Sequence, residues 1–275
     1  MAPPANRNVD CHAHIIDLDR FPVPAGRGYK PTPDERGTRD EFCAALDAHG
    51  LHHGLLVQLS GYGTDNGPIL DAIATYPGRF KAIAVIESTF SDRQLEDLAL
   101  AGVVGVRFNL PSYDPGALSG PEVPRLLERI KALGWFAQVY ATDAQWLAAA
   151  PVLGTSGVRV IVDHFGAHEL AGGTGQPGFQ QVLRLGREGQ AAVKLSSMFR
   201  ISRAPGYADL DPFVEQLLSA FGVDNCLWGS DWPFVGVAER PAYAETMAPL
   251  ARWFPDPDDR ARVLARNPAR LFGFA

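Results

Sequence analysis

Cysteine is scarce in this chain. Only Cys11, Cys43 and Cys226 occur among 275 residues, widely separated and without a CxxC spacing. That argues against a disulfide framework or a thiolate zinc site, and it fits a reducing cytoplasm. Long apolar runs are also lacking. No stretch approaches the roughly 18 consecutive apolar residues of a membrane span, and the opening MAPPANRNVDCHAH has no apolar segment of a secretory signal. Neither insertion nor export is expected. Positive charge is in deficit, with 25 Lys and Arg against 31 Asp and Glu, a net charge of −6. A surface that tracks phosphates needs clustered basic residues, so a nucleic-acid partner is not expected.

What is present suits a folded enzyme. Apolar residues make up 46% and charged residues 20%, which supplies a large core and carries no signature of disorder. Short β-branched and apolar runs recur about every 30 residues, each followed by a stretch with helical spacing, as in successive βα units. Eight strands are predicted, within 8–15, 53–60, 80–86, 103–109, 135–141, 159–165, 191–197 and 225–231. Several of the segments between them open on Ser, Thr or Asp and close on Gly, which are helix start and stop signals. The reading is one (β/α)₈ TIM barrel domain, for which about 250 residues is the usual size. Two irregular stretches break the repeat: 17–38, rich in Pro and Gly, as a long first βα loop, and MFRISRAPGYADLD after the seventh strand. PDPDDRARVLARNPARLFGF reads as a C-terminal helix with an interrupted tail.

In a parallel barrel, functional side chains gather at the C-terminal ends of the strands. His12 and His14 are two apart on the first strand, so both point into the barrel mouth, with Cys11 and Ala13 facing the helices. His164 ends the sixth strand and Asp231 the eighth, so three imidazoles and a carboxylate converge. Asp163, next to His164, is expected to face the opposite way and to be structural. Taken singly, His164 also reads as a satisfied core histidine and Asp231 as a helix cap. Such a group has two uses. It ligates a single divalent ion such as zinc or manganese, which acidifies bound water. Alternatively, Asp231 is a general base and the imidazoles donate to a forming oxyanion. Spacing alone leaves both open. Arg107 and Arg200, at the ends of strands four and seven, suit pairing with a carboxylate, which points to a small acidic substrate. Ser60 and Tyr140 are further hydrogen-bonding candidates, Tyr29 a candidate lid residue, and Lys194 reads as structural.

Taken together, DCHAHI, VQLSGYGTDN, GVRFN, VIVDHFG, VKLSSMFR and LWGSDWP resemble the amidohydrolase superfamily. The likeness is to the branch with 2-pyrone-4,6-dicarboxylate lactonase and sugar-acid lactonases or lactone isomerases, and it spans residues 9–235. The resemblance implies a metal-free hydrolase in which Asp231 activates water while His12, His14 and His164 polarise a lactone carbonyl. The carboxylated lysine or additional histidine of metal-dependent members is missing from strands five and seven. Two departures stand out. Tyr113 lies near the place of a second arginine in the dicarboxylate lactonase, which favours a monocarboxylate. Phe234 takes the place of a histidine and suggests a more apolar pocket wall. Rival readings are a mononuclear metal-dependent amidohydrolase or decarboxylase, a lactone isomerase, and a non-catalytic barrel that binds an organic acid.

Overall fold

A computed structural model describes residues 7–24, 28–112, 118–167 and 169–274. Eight parallel strands stand in chain order: β1 (Val9–Ala13), β2 (His53–Val57), β3 (Phe80–Ala84), β4 (Val103–Asn109), β5 (Phe136–Tyr140), β6 (Arg159–Val162), β7 (Ala191–Ser196) and β8 (Cys226–Gly229). The barrel closes beyond the end of β8, where Asp231 N donates to His12 O and His14 N to Trp232 O, each at 2.8 Å. Between successive strands run α1 (Arg39–Ala48), α2 (Gly67–Thr75), α3 (Asp92–Leu100), α4 (Val123–Ala132), α5 (Asp143–Ser156) and α6 (Pro177–Arg187). After β7 come α7 (Met198–Ile201) and α8 (Asp211–Phe221). All eight predicted strands are present, β4 over its predicted residues and the other seven shortened at their C-terminal ends where the chain leaves to form loops.

Local sequence explains where the helices start. Thr38, Ser91 and Thr142 each cap a helix by accepting from the backbone N–H three residues on, while Glu41, Gln94 and Gln145 return the bond. Each reciprocal pair satisfies two otherwise orphaned donors. At the far end of α5, Gly157 takes a left-handed conformation at φ 68°, which glycine adopts without steric penalty. The C-terminal segment is a helix through Phe272 with a π-helical stretch at Arg262–Arg266, placed just before Pro268. No helix among the described residues is long and apolar enough to cross a membrane.

Alternation along the strands sorts the core into two compartments. Leu56, Ala82, Val106, Val139, Val162, Val193 and Trp228 pack against the helices. Val9, Leu55, Ile83, Phe136, Ile161 and Leu227 fill the barrel floor with Phe272 and Phe274 of the C-terminus. That apolar plug closes one end, so the opposite end is the one open to ligands.

The first strand departs from simple alternation. Cys11 belongs to the interior cluster, not to the helix side as its position relative to the histidines suggests, whereas Ala13 does pack outward. The cause is a register shift between Asp10 and Ala13, a β-bulge that lets Cys11 and His12 both face inward. Asp10 holds it. Its fully buried carboxylate accepts from the backbone N–H groups of His12 (3.0 Å) and Ser230 (2.9 Å), and from the hydroxyls of Ser230 (2.5 Å) and Tyr243 (2.6 Å). Burial nevertheless pushes the Asp10 carboxyl above its ordinary range, against these donors.

Candidate functional site

The open end of the barrel holds a pocket lined by His14, Tyr29, Ser60, Arg107, Tyr140, His164, Arg200 and Asp231, together with Leu59, Asn109, Ser112 and Val235. Every residue singled out in the sequence for substrate contact is therefore on one wall or another. His12 lies beneath, its ring centroid 5.1 Å from that of His14 and 4.6 Å from that of His164.

Backbone conformation places three residues that follow strand ends. His164 (φ 53°), Ser197 (φ 60°) and Asp231 (φ 64°) all adopt the left-handed region within two residues of the ends of β6, β7 and β8. Non-glycine residues rarely settle there without a compensating gain, and such positions cluster at functional sites. The turn at His164 also corrects one expectation. Asp163 does not face the helices: alternation puts Ile161 and Asp163 inward, and the left-handed turn then swings His164 inward as well.

The floor of the site is a buried ionic group. Asp163 Oδ1 is 3.3 Å from His12 Nδ1 and 3.3 Å from Lys194 Nζ, and its Oδ2 accepts from Gln138 Nε2 at 2.9 Å. Lys194 donates to Gln138 Oε1 at 2.7 Å. All four side chains are buried. Burial opposes ionisation of Asp163, but the charge of Lys194 and the contact with His12 override it and hold the carboxyl far below its usual range. Burial likewise draws the Lys194 ammonium down, with Asp163 opposing.

Above the floor, Asp231 gathers the remaining groups. One oxygen, Oδ1, is 3.3 Å from His14 Nε2 and 3.6 Å from His12 Nε2. The other accepts from Ser197 Oγ at 2.7 Å and Arg200 Nε at 3.0 Å. Burial favours the neutral acid, yet Arg200 first and then His14 outweigh it, so Asp231 is ionised well below neutral pH. His14 Nδ1 donates to the Val57 carbonyl at 2.7 Å, which fixes the ring and aims Nε2 at Asp231. His164 Nδ1 pairs with Ser196 Oγ at 2.9 Å. Burial pulls His12 well below its ordinary value and His164 down to about 4. Tyr140, packed edge-on to His164 and pushed by burial to about 12, stays protonated and able to donate.

The His164 shift has a consequence for stability. The folded ring binds its proton only near pH 4, the unfolded one near 6.5. The unfolded state therefore holds more protons between those values. Stability is fully present above about pH 6.5 and falls on acidification towards pH 4, by about 3 kcal/mol for this one group. Calorimetric melting between pH 7.5 and 4.5 should show this loss, and His164→Asn should flatten the slope; an unchanged slope would assign the loss to other groups.

The two arginines differ. Arg200 is engaged with Asp231 and with the Val235 carbonyl. Arg107 is buried, donates only to the Gln58 carbonyl at 2.7 Å, and has no carboxylate within 4.0 Å among the described residues; its Nε is buried without a partner. The first βα loop lies over this end. Gly28 and Gly61 permit it: a Cβ at Gly28 would lie 2.1 Å from Ser60 O, and one at Gly61 2.0 Å from Tyr29 O. Glu35, buried under the loop, accepts from Tyr29 Oη and from Gly236 N, each at 2.5 Å, tying the loop to the segment after β8. Phe234 is not a pocket wall. It sits at φ 65° and turns out against Phe199 and Tyr243, leaving Val235 to face the pocket. Tyr113 lies outside the described residues.

Distances alone would suit one ion, since an atom each from His12, His164 and Asp231 lies within 4.8 Å of the others. In this arrangement Asp231 is also paired with the Arg200 guanidinium, and His12 Nδ1 lies 3.3 Å from the Lys194 ammonium.

Asp10, Gln138, Asp163, Lys194 and Asn109 contribute to this site without having been assigned to it from sequence. Inward alternation with Tyr140 and Ser196 was the available signal for Gln138 and Lys194.

The chain is similar to known proteins over nearly its whole length. It is 31% identical to 4-sulfomuconolactone hydrolase of Hydrogenophaga intermedia over 270 residues, 96% of this chain and 88% of that one. It is 28% identical to D-galactarolactone isomerase of Agrobacterium fabrum over 271 residues, 96% and 90% of the respective chains. Among solved structures, a "probable" 2-pyrone-4,6-dicarboxylic acid hydrolase from Acinetobacter baumannii, with citric acid bound, superposes with a TM-score of 0.88 at 30% identity, covering 98% of this chain and 100% of that one. The amidohydrolase family model matches residues 9–274. With that match and the eight-stranded barrel that carries its site at the strand ends, the chain belongs to the amidohydrolase family.

Proposed function

We propose that this protein hydrolyses a small, carboxylate-bearing lactone without a metal ion. The observation that carries the acidic substrate is Arg107. Among the described residues its buried guanidinium has no counter-charge, which is costly, and a ligand carboxylate in the pocket would supply one, in the bidentate geometry that guanidinium favours. The names of the related lactone hydrolases and the citric acid bound to the related barrel agree with an acidic ligand.

The chemistry follows from the groups around Asp231. Its ionised carboxylate takes a proton from water as the water oxygen bonds to the ring carbonyl carbon. The carbonyl π electrons move to oxygen, where His12 and His14 donate hydrogen bonds. The tetrahedral intermediate then breaks its bond to the ring oxygen, and that oxygen receives the proton from Asp231. A hydroxy acid results. A substrate carboxylate that also engages Arg200 would draw the guanidinium from Asp231 and raise the basicity of the carboxylate when it is needed.

The test is acid release from mono- and dicarboxylate lactones and uncharged analogues, before and after exhaustive chelation with metal content measured. Preferred turnover of carboxylate-bearing lactones that persists without metal is expected. Activity lost with the metal and restored by zinc or manganese would overturn the metal-free part, and equal turnover of uncharged lactones the acidic part. A rearranged lactone as product would make the enzyme an isomerase.

A further inference from the structure

We propose that Lys194 is a positioning residue that fixes His12 with its ring proton on Nε2, so that the site offers a hydrogen-bond donor there and not a metal ligand. This rests on the metal-independent reading above. An ammonium has three N–H groups and no acceptor. Three acceptors surround Lys194 Nζ: Gln138 Oε1 at 2.7 Å, Asp163 Oδ1 at 3.3 Å and His12 Nδ1 at 3.3 Å. The contact with His12 is a hydrogen bond only if Nδ1 is bare. The competing arrangement, Nδ1–H to Asp163 Oδ1, has the same 3.3 Å separation, but that oxygen makes no aligned hydrogen bond among the described residues, and Lys194 is held to it by charge alone. It would also leave an ammonium hydrogen facing an N–H.

Gln138 supports the same assignment. Its amide lies between cation and anion, accepting from Lys194 through Oε1 and donating to Asp163 Oδ2 through Nε2 at 2.9 Å. With each amide end matched to its charge, the amide orientation is settled and Asp163 is neutralised without a proton from His12. The other ring nitrogen, Nε2, is buried, has no hydrogen-bond partner among the described residues and lies 3.6 Å from Asp231 Oδ1. It carries the proton and points it towards the reacting groups. Zinc binds a bare imidazole nitrogen, so an ion at this position would have to move the proton to Nδ1, against the ammonium.

Long-range proton–nitrogen correlation spectra of the ¹⁵N-labelled full chain read the tautomer directly. The wild-type His12 ring is expected to show a bare Nδ1 and a protonated Nε2. In Lys194→Met, Asp163 becomes the remaining partner of Nδ1 and the two signals should exchange. Calorimetric titration of metal-stripped protein with zinc should then show affinity raised roughly tenfold or more over wild type, the size of effect that groups behind a metal ligand exert. Gln138→Leu, which leaves Lys194 in place, should not produce the exchange. A bare Nε2 in the wild-type spectrum overturns the proposal even if Lys194→Met fails to fold. So does zinc affinity that Lys194→Met leaves unchanged. Neither readout depends on lactone turnover, so a bare Nε2 beside chelator-resistant hydrolysis would defeat this inference and leave the proposed function standing.

Discussion

Asp231→Asn is expected to lower kcat/KM for lactone hydrolysis by about 10³-fold, mostly through kcat, because the change removes the base proposed to take the proton from attacking water. The substitution preserves shape. Asparagine tolerates the left-handed conformation that position 231 requires (φ 64°), and its carbonyl oxygen can still accept from Ser197 and Arg200. What it lacks is a site for the proton. Steady-state kinetics with binding of a product acid measured separately would show turnover lost and binding kept. Loss of both would instead mean that Arg200, freed from its partner, had disordered the pocket. Unchanged turnover would remove Asp231 from the chemistry and favour a different base. Since Arg200 and His14 keep the carboxylate ionised despite burial, protonation of Asp231 should cost the wild-type enzyme no activity near neutral pH.

The barrel and most of its mouth were legible in the sequence for a definite reason. Parallel strands buried on both faces are continuous apolar runs, and those of this chain recur at a regular interval, so all eight could be placed, and β4 and β5 with their inward residues at the pocket. Arg107 and Tyr140 face the pocket by plain alternation. The errors lie where alternation fails. At Cys11 an inserted residue shifts the phase of β1, and what stabilises the shift is the carboxylate of Asp10 reaching Ser230 and Tyr243, more than 200 residues away in the chain. At His164 and Phe234 a left-handed residue redirects the chain, and no periodicity signals that. Lys194 is a different case. Its inward direction could be read from its place two residues before Ser196, but its ionic partners Asp163 and Gln138 come from other strands and are brought close only by the closed barrel.

Arg107 provides the prediction in which stability and activity should move in opposite directions. The guanidinium is buried, with one carbonyl contact and no carboxylate within reach among the described residues. Holding a charge that way costs several kcal/mol, which the Gln58 carbonyl only partly offsets. Arg107→Met keeps much of the side-chain volume and removes the charge, so the melting temperature should stay level or rise. For a carboxylate-bearing lactone, kcat/KM should fall about 10²-fold or more, mainly through KM, the size expected when one partner of a desolvated charge pair is lost. An uncharged analogue should be turned over as well as, or better than, by wild type. Arg107→Lys restores the charge without the planar fork and should recover part of the loss. The comparison of substrates separates the interpretations: if Arg107→Met lowered stability and reduced both substrates equally, the arginine would be holding β4 to β2 through Gln58. A loss confined to the charged substrate means that the unpaired cation is a binding site formed before the ligand arrives, its cost to the empty barrel offset when the carboxylate enters.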